Sequence, residues 1–262
     1  MRLKVLGVLA VTGALALSGG PAMADDGSHM RTPKAYTCTG GEIPSGNYAS
    51  VTVTGVCDVP ADAVISVVGN VTVAAGAKLD AQSAPSTITV GRNVIAVRGS
   101  LLGLGCQPDT DHAGHPCTVE PDGHSTITVN GNVITVGADT VLLNGVTVSG
   151  NVTLVGGGGD IPWAIKNNTI GGNLTIVGVT ADWLGVLFNE IGANATLIHI
   201  TATDPGDPGR TVAVVENTVG SNLTCFGLAP DVSGGFIPGE VNHVSGNAIG
   251  QCASLVGGTD EQ

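Results

Sequence analysis

The chain has 262 residues with 21 acidic and nine basic side chains, which gives a formal net charge of −12. A surface this acidic repels nucleic acid and anionic lipid, so both are excluded as partners. Glycine is abundant at 41 residues and aromatic residues make up only 3%, a composition typical of many short strands and tight turns.

The first 24 residues have the pattern of a secretory signal peptide. Arg2 and Lys4 precede the apolar run "VLGVLAVTGALAL", which is followed by the small residues of "GGPAMA". The apolar run is too short to span a bilayer, so we predict a secreted protein without membrane insertion. Residues 25–34 are predicted to be a disordered N-terminal segment, and residues 258–262 a polar tail.

A motif of the form Gly-Asn-x-Thr-x recurs along the rest of the chain. Its asparagines are Asn70, Asn93, Asn132, Asn151, Asn173, Asn194 and Asn222. Most of the steps between them are about 21 residues, a period that indicates a solenoid. Stacked coils would pair each short strand in parallel with its copies above and below. We therefore predict an all-β, single-domain parallel β-helix of roughly eight or nine coils over residues 35–257.

Alternation within each motif separates an inward from an outward side. The predicted interior stack consists of Val71, Val73, Val152, Leu154, Leu174, Ile176, Leu197 and Leu223. A second set of asparagines falls at the predicted corners of the coils, namely Asn168, Asn189, Asn217 and Asn247. We expect these four to adopt the left-handed backbone conformation, which Asn and Gly tolerate better than other residues.

Six cysteines in an exported chain predict disulfides. Fifteen pairings are open to six cysteines, and a solenoid favours the sequential one because each coil contacts only its neighbours. The sequential pairs are Cys38 with Cys57, Cys106 with Cys117, and Cys225 with Cys252. The first and last pairs would then protect the two end coils from fraying.

Three segments carry a resemblance to a known kind of protein. They are "SGNYASVTVTGVCDVPADAVI", "NTVGSNLTCFGLAP" and "VSGNAIGQCASL". In these segments the chain resembles secreted actinobacterial β-helix proteins rich in Gly and Asn. The resemblance implies a right-handed parallel β-helix, export and a closing cysteine pair, and it brings no reaction with it. The insertion at 103–124 departs from that pattern.

This insertion gathers acidic and imidazole side chains between Cys106 and Cys117. Its candidate metal ligands are Asp109, Asp111, His112 and His115. Such a group suits Ca²⁺ through its oxygens or Zn²⁺ through its histidines, although the spacing matches neither an EF-hand nor a zinc finger. The alternative is a solvated polar loop that a disulfide closes. Outside this loop the sequence predicts no cofactor.

Two tryptophans one coil apart form the candidate ligand site. Trp163 and Trp183 lie near Asp160 and Asp182 in the sequence, and exposed rings beside carboxylates suit sugar binding. The alternative is that each ring fills a corner of the core.

No nucleophile elbow, metal-binding helix or phosphate loop occurs in the sequence. We therefore predict a non-enzymatic structural or surface-interaction solenoid of the cell envelope or extracellular space. Its expected partners are a glycan or an envelope component, and its ends or edges could self-associate. The alternatives are a carbohydrate-binding or carbohydrate-processing β-helix and, from the outward Asn and Thr columns, an ice-binding face. Arg92, Ala96 and Cys252 are expected to interrupt those columns.

Overall fold

The computed structural model describes residues 32–110, 114–204, 212–234 and 241–257. The chain from Thr32 onward forms one compact unit. The predicted signal peptide, most of the N-terminal segment and the tail at 258–262 lie outside the described residues. Regular structure begins with a strand at Lys34, the last position of the segment that was predicted to be disordered.

Short strands and one 3-10 helix at Gln251–Ser254 make up the regular structure of the described residues. The strands are β1 (Lys34–Cys38), β2 (Gly41–Glu42), β3 (Gly46–Val53), β4 (Val56–Asp58), β5 (Ala63–Val67), β6 (Val71–Val73), β7 (Lys78–Ala81), β8 (Ser86–Val90), β9 (Val94–Val97), β10 (Leu101–Leu104), β11 (Thr126–Val129), β12 (Val133–Val136), β13 (Thr140–Asn144), β14 (Val146–Val148), β15 (Val152–Val155), β16 (Trp163–Lys166), β17 (Thr169–Ile170), β18 (Leu174–Val177), β19 (Thr180–Ala181), β20 (Leu184–Leu187), β21 (Glu190–Ile191), β22 (Ala195–Ile198), β23 (Thr201–Ala202), β24 (Val212–Val215), β25 (Thr218–Val219), β26 (Leu223–Phe226), β27 (Val232–Ser233), β28 (His243–Val244) and β29 (Ala248–Gly250).

Each regular coil contributes one strand to each of three faces, and all the strand pairs between coils are parallel. The first face contains β5, β8, β11, β14, β17, β21, β25 and β28. The second face contains β6, β9, β12, β15, β18, β22, β26 and β29. The third face contains β2, β4, β7, β10, β13, β16, β20, β24 and β27. This arrangement confirms the predicted parallel β-helix.

The interior is a set of apolar stacks whose members lie directly above one another. Val152 pairs in register with Leu174, and Leu154 pairs with Ile176. The same two stacks continue to Leu197 and Leu223 on the next coils. All eight residues that were predicted to form the interior are buried in one core cluster. The motif alternation therefore identified the inward side correctly.

The corner between the first and second faces requires small residues because successive coils approach closely there. A Cβ atom on Gly171 would lie 2.5 Å from the carbonyl oxygen of Ser149, and one on Gly150 would lie 2.6 Å from that of Gly131. Asparagines follow these corners on successive coils and form what we call the outer ladder. In it the Asn173 amide donates to Oδ1 of Asn151 at 3.0 Å, and the Asn194 amide donates to Oδ1 of Asn173 at 3.0 Å.

The predicted backbone conformation of the corner asparagines is wrong by one position. The residues that adopt positive φ are Asn167, Phe188 and Glu216, each of which precedes a corner asparagine. Asn168, Asn189 and Asn217 are instead buried and form a second stack with Asn242, which we call the inner ladder. Their side-chain amides are buried and join adjacent coils. The residue that precedes each of these asparagines therefore adopts the positive φ of the sharp bend. Asn247 belongs to the outer ladder.

The three disulfides join the predicted pairs, Cys38 to Cys57, Cys106 to Cys117 and Cys225 to Cys252. Three disulfides indicate an oxidising environment. The middle bridge closes the insertion, which begins after β10 ends at Leu104 rather than at residue 103. Within the described residues no helix has the length and apolar character needed to cross a membrane.

Candidate functional site

The outward side of the second face carries two parallel columns of side chains. The threonine column runs through Thr153, Thr175, Thr196 and Thr224, which pair in register on four successive coils. Two residues further along each strand lies the valine column, which consists of Val97, Val136, Val155, Val177, Ile198 and Phe226. Because adjacent coils are about 4.8 Å apart, both columns repeat at that spacing.

Charge is absent from this face. None of the strands β6, β9, β12, β15, β18, β22, β26 and β29 contains Asp, Glu, Lys or Arg. Several of its large apolar side chains are open to solvent, with Val136 55% and Phe226 48% exposed. The face spans eight coils and covers roughly 400 Å² at standard strand spacings. The largest apolar patch on a typical monomer is of this size and is often functional, so we take this face as the candidate site.

The outer ladder fixes the edge of this face. Each of its amides is held by the coil below, as when the backbone N–H and the side-chain amide of Asn173 both donate to Oδ1 of Asn151, at 2.8 and 3.0 Å. The ladder therefore keeps successive coils in one register, and the columns beside it remain straight. Sequence analysis identified the threonines but missed the valine column, although the repeated segments "NVTLV" and "NLTIV" contain its signal.

The interruptions of the threonine column differ from those predicted. Ile95 and Ile134 replace threonine on two adjacent coils, between Thr72 and Thr153. Ala96 is buried and faces inward, so it does not belong to the column. The N-terminal part of the second face is consequently more apolar than the part from Thr153 to Thr224.

Trp163 must be removed from the predicted ligand site. Its side chain is fully buried, and its Nε1 donates to the backbone carbonyl of Asp139 at 2.9 Å. Trp163 pairs in register with Leu184, another core residue, so its ring fills the interior of its coil. A ring in this position cannot stack on a sugar at the surface.

The other members of that predicted site lie at one corner of the solenoid. The backbone N–H of Asp182 donates to the carbonyl of Gly159 at 3.0 Å, which places Asp160 and Asp182 on neighbouring coils. Trp183 is half-buried because its ring lies across Gly185, where a Cβ would be 2.2 Å from the ring. Trp183 therefore covers backbone on the third face and leaves one isolated ring at the surface.

The disulfide loop packs against the third face through its own polar groups. Nζ of Lys166 donates to the carbonyl of Gly114 at 2.6 Å, and the N–H of Gly114 donates to Oδ1 of Asp109 at 3.0 Å. Burial lowers the pKa of Lys166, while the charge of Asp109 raises it. Burial and then the charge of Lys166 lower the pKa of His115, and Asp80 opposes them. A cleft of about 310 Å³ opens beside the loop and is lined in part by Gln107 and His124.

The predicted metal site in this loop is only partly described. Asp109 and His115 lie near Lys166, whereas Asp111 and His112 fall outside the described residues. Among the residues that are described, no three His, Cys, Asp or Glu side chains lie close enough to hold a metal ion. Calcium or zinc binding by the loop stays a prediction.

Comparison with known proteins adds nothing to this geometry. The chain matches no family model, no curated protein and no solved structure. The function must therefore be inferred from the chain's own surfaces. Of these, the second face is the one whose strands contain no charged residue.

Proposed function

We propose that the protein is a secreted, non-enzymatic β-solenoid that attaches to an extended, uncharged polymer of the cell envelope or extracellular space through its second face. The observation that carries the proposal is the absence of charged residues from eight successive strands of a chain with 21 acidic side chains. Charged side chains normally keep a protein surface soluble in water. A whole face without charged side chains can lose its water cheaply when a partner binds, so we infer that a partner binds there.

The size of the face favours an extended partner over a second copy of the chain. A face of about 400 Å² on each side would give a dimer interface of about 800 Å², below the roughly 1,200 Å² of specific stable interfaces. A polymer can contact many copies of the repeat along its length, and many weak contacts then add up to firm attachment. Neutral glycans supply hydroxyl groups for the threonine column and C–H surface for the valine column.

The second face is suited to attachment rather than turnover. The groups near the disulfide loop with shifted pKa values, His115 and Lys166, lie away from the second face on the third. Fold analogy with β-helix lyases and hydrolases would be a weak argument for catalysis. The second face offers binding contacts and no proton donor or acceptor of adjustable pKa.

Co-sedimentation tests the proposal. The purified chain from residue 32 onward is mixed with insoluble neutral polysaccharides, with purified cell-wall sacculi and with an anionic gel, and the bound fraction is measured in each. We expect binding to at least one neutral polymer, and a loss of about tenfold in Thr175→Lys because a charge would have to be desolvated. Thr169→Lys, exposed on the first face, is the matched control and should bind normally. Equal losses in the two variants would refute the proposal.

Ordered water is a second candidate ligand for the same face. The observation that favours it is the unbroken run of four threonines from Thr153 to Thr224, each beside an apolar member of the valine column. Methyl and hydroxyl groups in straight rows can hold water molecules in a lattice. Measurement of thermal hysteresis and ice recrystallisation with the wild-type chain and with Thr196→Lys tests this candidate. If the wild-type chain is active in these ice assays and Thr196→Lys is not, then ice and not a polymer is the ligand of the second face.

A further inference from the structure

A half-buried lysine and a buried asparagine face the same side of the third face, beneath the disulfide loop. Asn144 of β13 pairs in register with Lys166 of β16 on the next coil. Leu143 and Ile165, which precede them, are both core residues, so alternation directs Asn144 and Lys166 to the outer side of the sheet. Adjacent parallel strands are about 4.8 Å apart, which is within the length of a lysine side chain.

The amide of Asn144 is the unusual member of this pair. Asn144 is only 1% exposed, yet neither its Oδ1 nor its Nδ2 has a hydrogen-bond partner in the described structure. A polar atom buried without a partner destabilises the folded state, because it loses its hydrogen bonds to water and gains none in return. The buried asparagines of the inner ladder contrast with it, because Asn189 donates from Nδ2 to both Ile165 and Asn217. Asn144 therefore has no ladder role that explains its burial.

Lys166 has the surroundings of an amine that can act as a nucleophile. Burial lowers its pKa, which increases the neutral fraction that carries a lone pair. Its Nζ lies 5.9 Å from the centre of the Phe188 ring and donates to the Gly114 carbonyl. Asp109 and His115 are the titratable side chains whose charges interact with Lys166.

We propose that Lys166 and Asn144 join in an intramolecular isopeptide bond. The neutral Nζ attacks Cγ of Asn144, the new Cγ–Nζ bond forms, and the Cγ–Nδ2 bond breaks. One proton passes from Nζ, by way of Asp109 or His115, to the departing Nδ2, which leaves as ammonia. The product is a secondary amide whose remaining N–H can still donate to Gly114. No oxidant, metal or other reactant is needed.

The bond would fasten the third and fourth regular coils, those of β13 and β16, to each other beneath the disulfide loop. The first asparagine of the inner ladder already joins these coils by one hydrogen bond, because Nδ2 of Asn168 donates to the Leu143 carbonyl of β13 at 2.9 Å. The covalent link would lie beside it, on the outer side of the same two strands. This inference is independent of the proposed function, because it concerns the third face.

Intact mass spectrometry of the purified chain, with its disulfides kept, tests the bond. The wild-type mass should be lower by one ammonia than the disulfide-bonded sequence, whereas Lys166→Arg and Asn144→Ala should have their full calculated masses. A full mass in the wild-type chain would overturn the proposal.

Digestion with trypsin separates the bond from ring closure at the Asn144–Gly145 step, which also releases ammonia. Lys166 is the sole trypsin site between Arg98 and Arg210. An isopeptide bond blocks cleavage there and leaves one peptide, residues 99–210, that lacks one ammonia after reduction. Cleavage at Lys166, or ammonia loss that persists in Lys166→Arg, would contradict the bond.

Discussion

The second and third faces of the solenoid are built from the same coils but follow different rules. On the second face the outward positions repeat, as threonine does from Thr153 to Thr224. On the third face one outward row changes at every coil, through Asp80, Gly103, Leu142, Ala164, Gly185 and Ala213. The third face is covered in part by the chain's own loop and Trp183, so each position fits a different neighbour. Repetition survives where the chain covers nothing. The first face also repeats threonine, from Thr89 to Thr169, but it includes the charged Glu190, so we assign the external contact to the second face.

On the third face, replacement of the buried Trp163 should have the largest effect on stability. Trp163→Ala should lower the free energy of unfolding by about 3–5 kcal/mol, because it leaves a large cavity in the core. Trp183→Ala should cost clearly less, since its ring is half-buried over Gly185. Urea denaturation followed by circular dichroism measures both. A larger loss in Trp183→Ala would contradict the assignment of the two rings.

The two ladders sharpen the comparison, because the inner one follows the third face and the outer one precedes the second. Asn189→Ala should cost about 3 kcal/mol, since it removes the partners of the Asn168 amide and of the Ile165 carbonyl in a buried place. Asn173→Ala in the half-buried outer ladder should cost about 1 kcal/mol, because water can replace the lost bonds. Urea denaturation measures both losses. Equal losses of unfolding free energy in the two variants would contradict a larger contribution from the buried inner ladder.

The pH dependence of stability should come in part from the third face and not from the second, which has no charged residues. His115 has an ordinary pKa of 6.5 when unfolded and a lower one when folded, chiefly through burial and then through the charge of Lys166. Below pH 6.5 the unfolded chain therefore binds a proton that the folded chain does not, and stability falls as the pH is lowered. His115→Gln should make the free energy of unfolding less dependent on pH between about 7.5 and about 5. An unchanged slope would show that His115 does not contribute.

The sequence predicted the fold well because a solenoid repeats its local pattern. Leu174 and Ile176 could be assigned to the core from alternation alone, and the disulfide pairs followed from the order of the coils. The corner asparagines were misplaced because Asn suits both a left-handed turn and a buried amide ladder, and only the stacking of Asn168 on Asn189 decides between them.

The candidate site was harder to predict than the fold. Trp163 was assigned to a ligand site because sequence spacing does not show which side of a strand faces inward at an irregular coil. The valine column was missed because a single Val in each repeat is ordinary, and its meaning depends on register between coils. Lys166 and Asn144 are 22 positions apart in the sequence, and only the strand pairing brings them together.

The most direct test of the central claim is a lysine substitution at equivalent positions of two faces of the same coils. Thr153→Lys and Thr175→Lys alter the second face, and Thr147→Lys and Thr169→Lys alter the first face of the same coils. All four should fold with near wild-type stability, because their side chains point outward. We predict that binding to the neutral polymer found by co-sedimentation falls about tenfold in each second-face variant and stays unchanged in each first-face variant. Unchanged binding in the second-face variants, or a loss confined to the first face, would contradict the account.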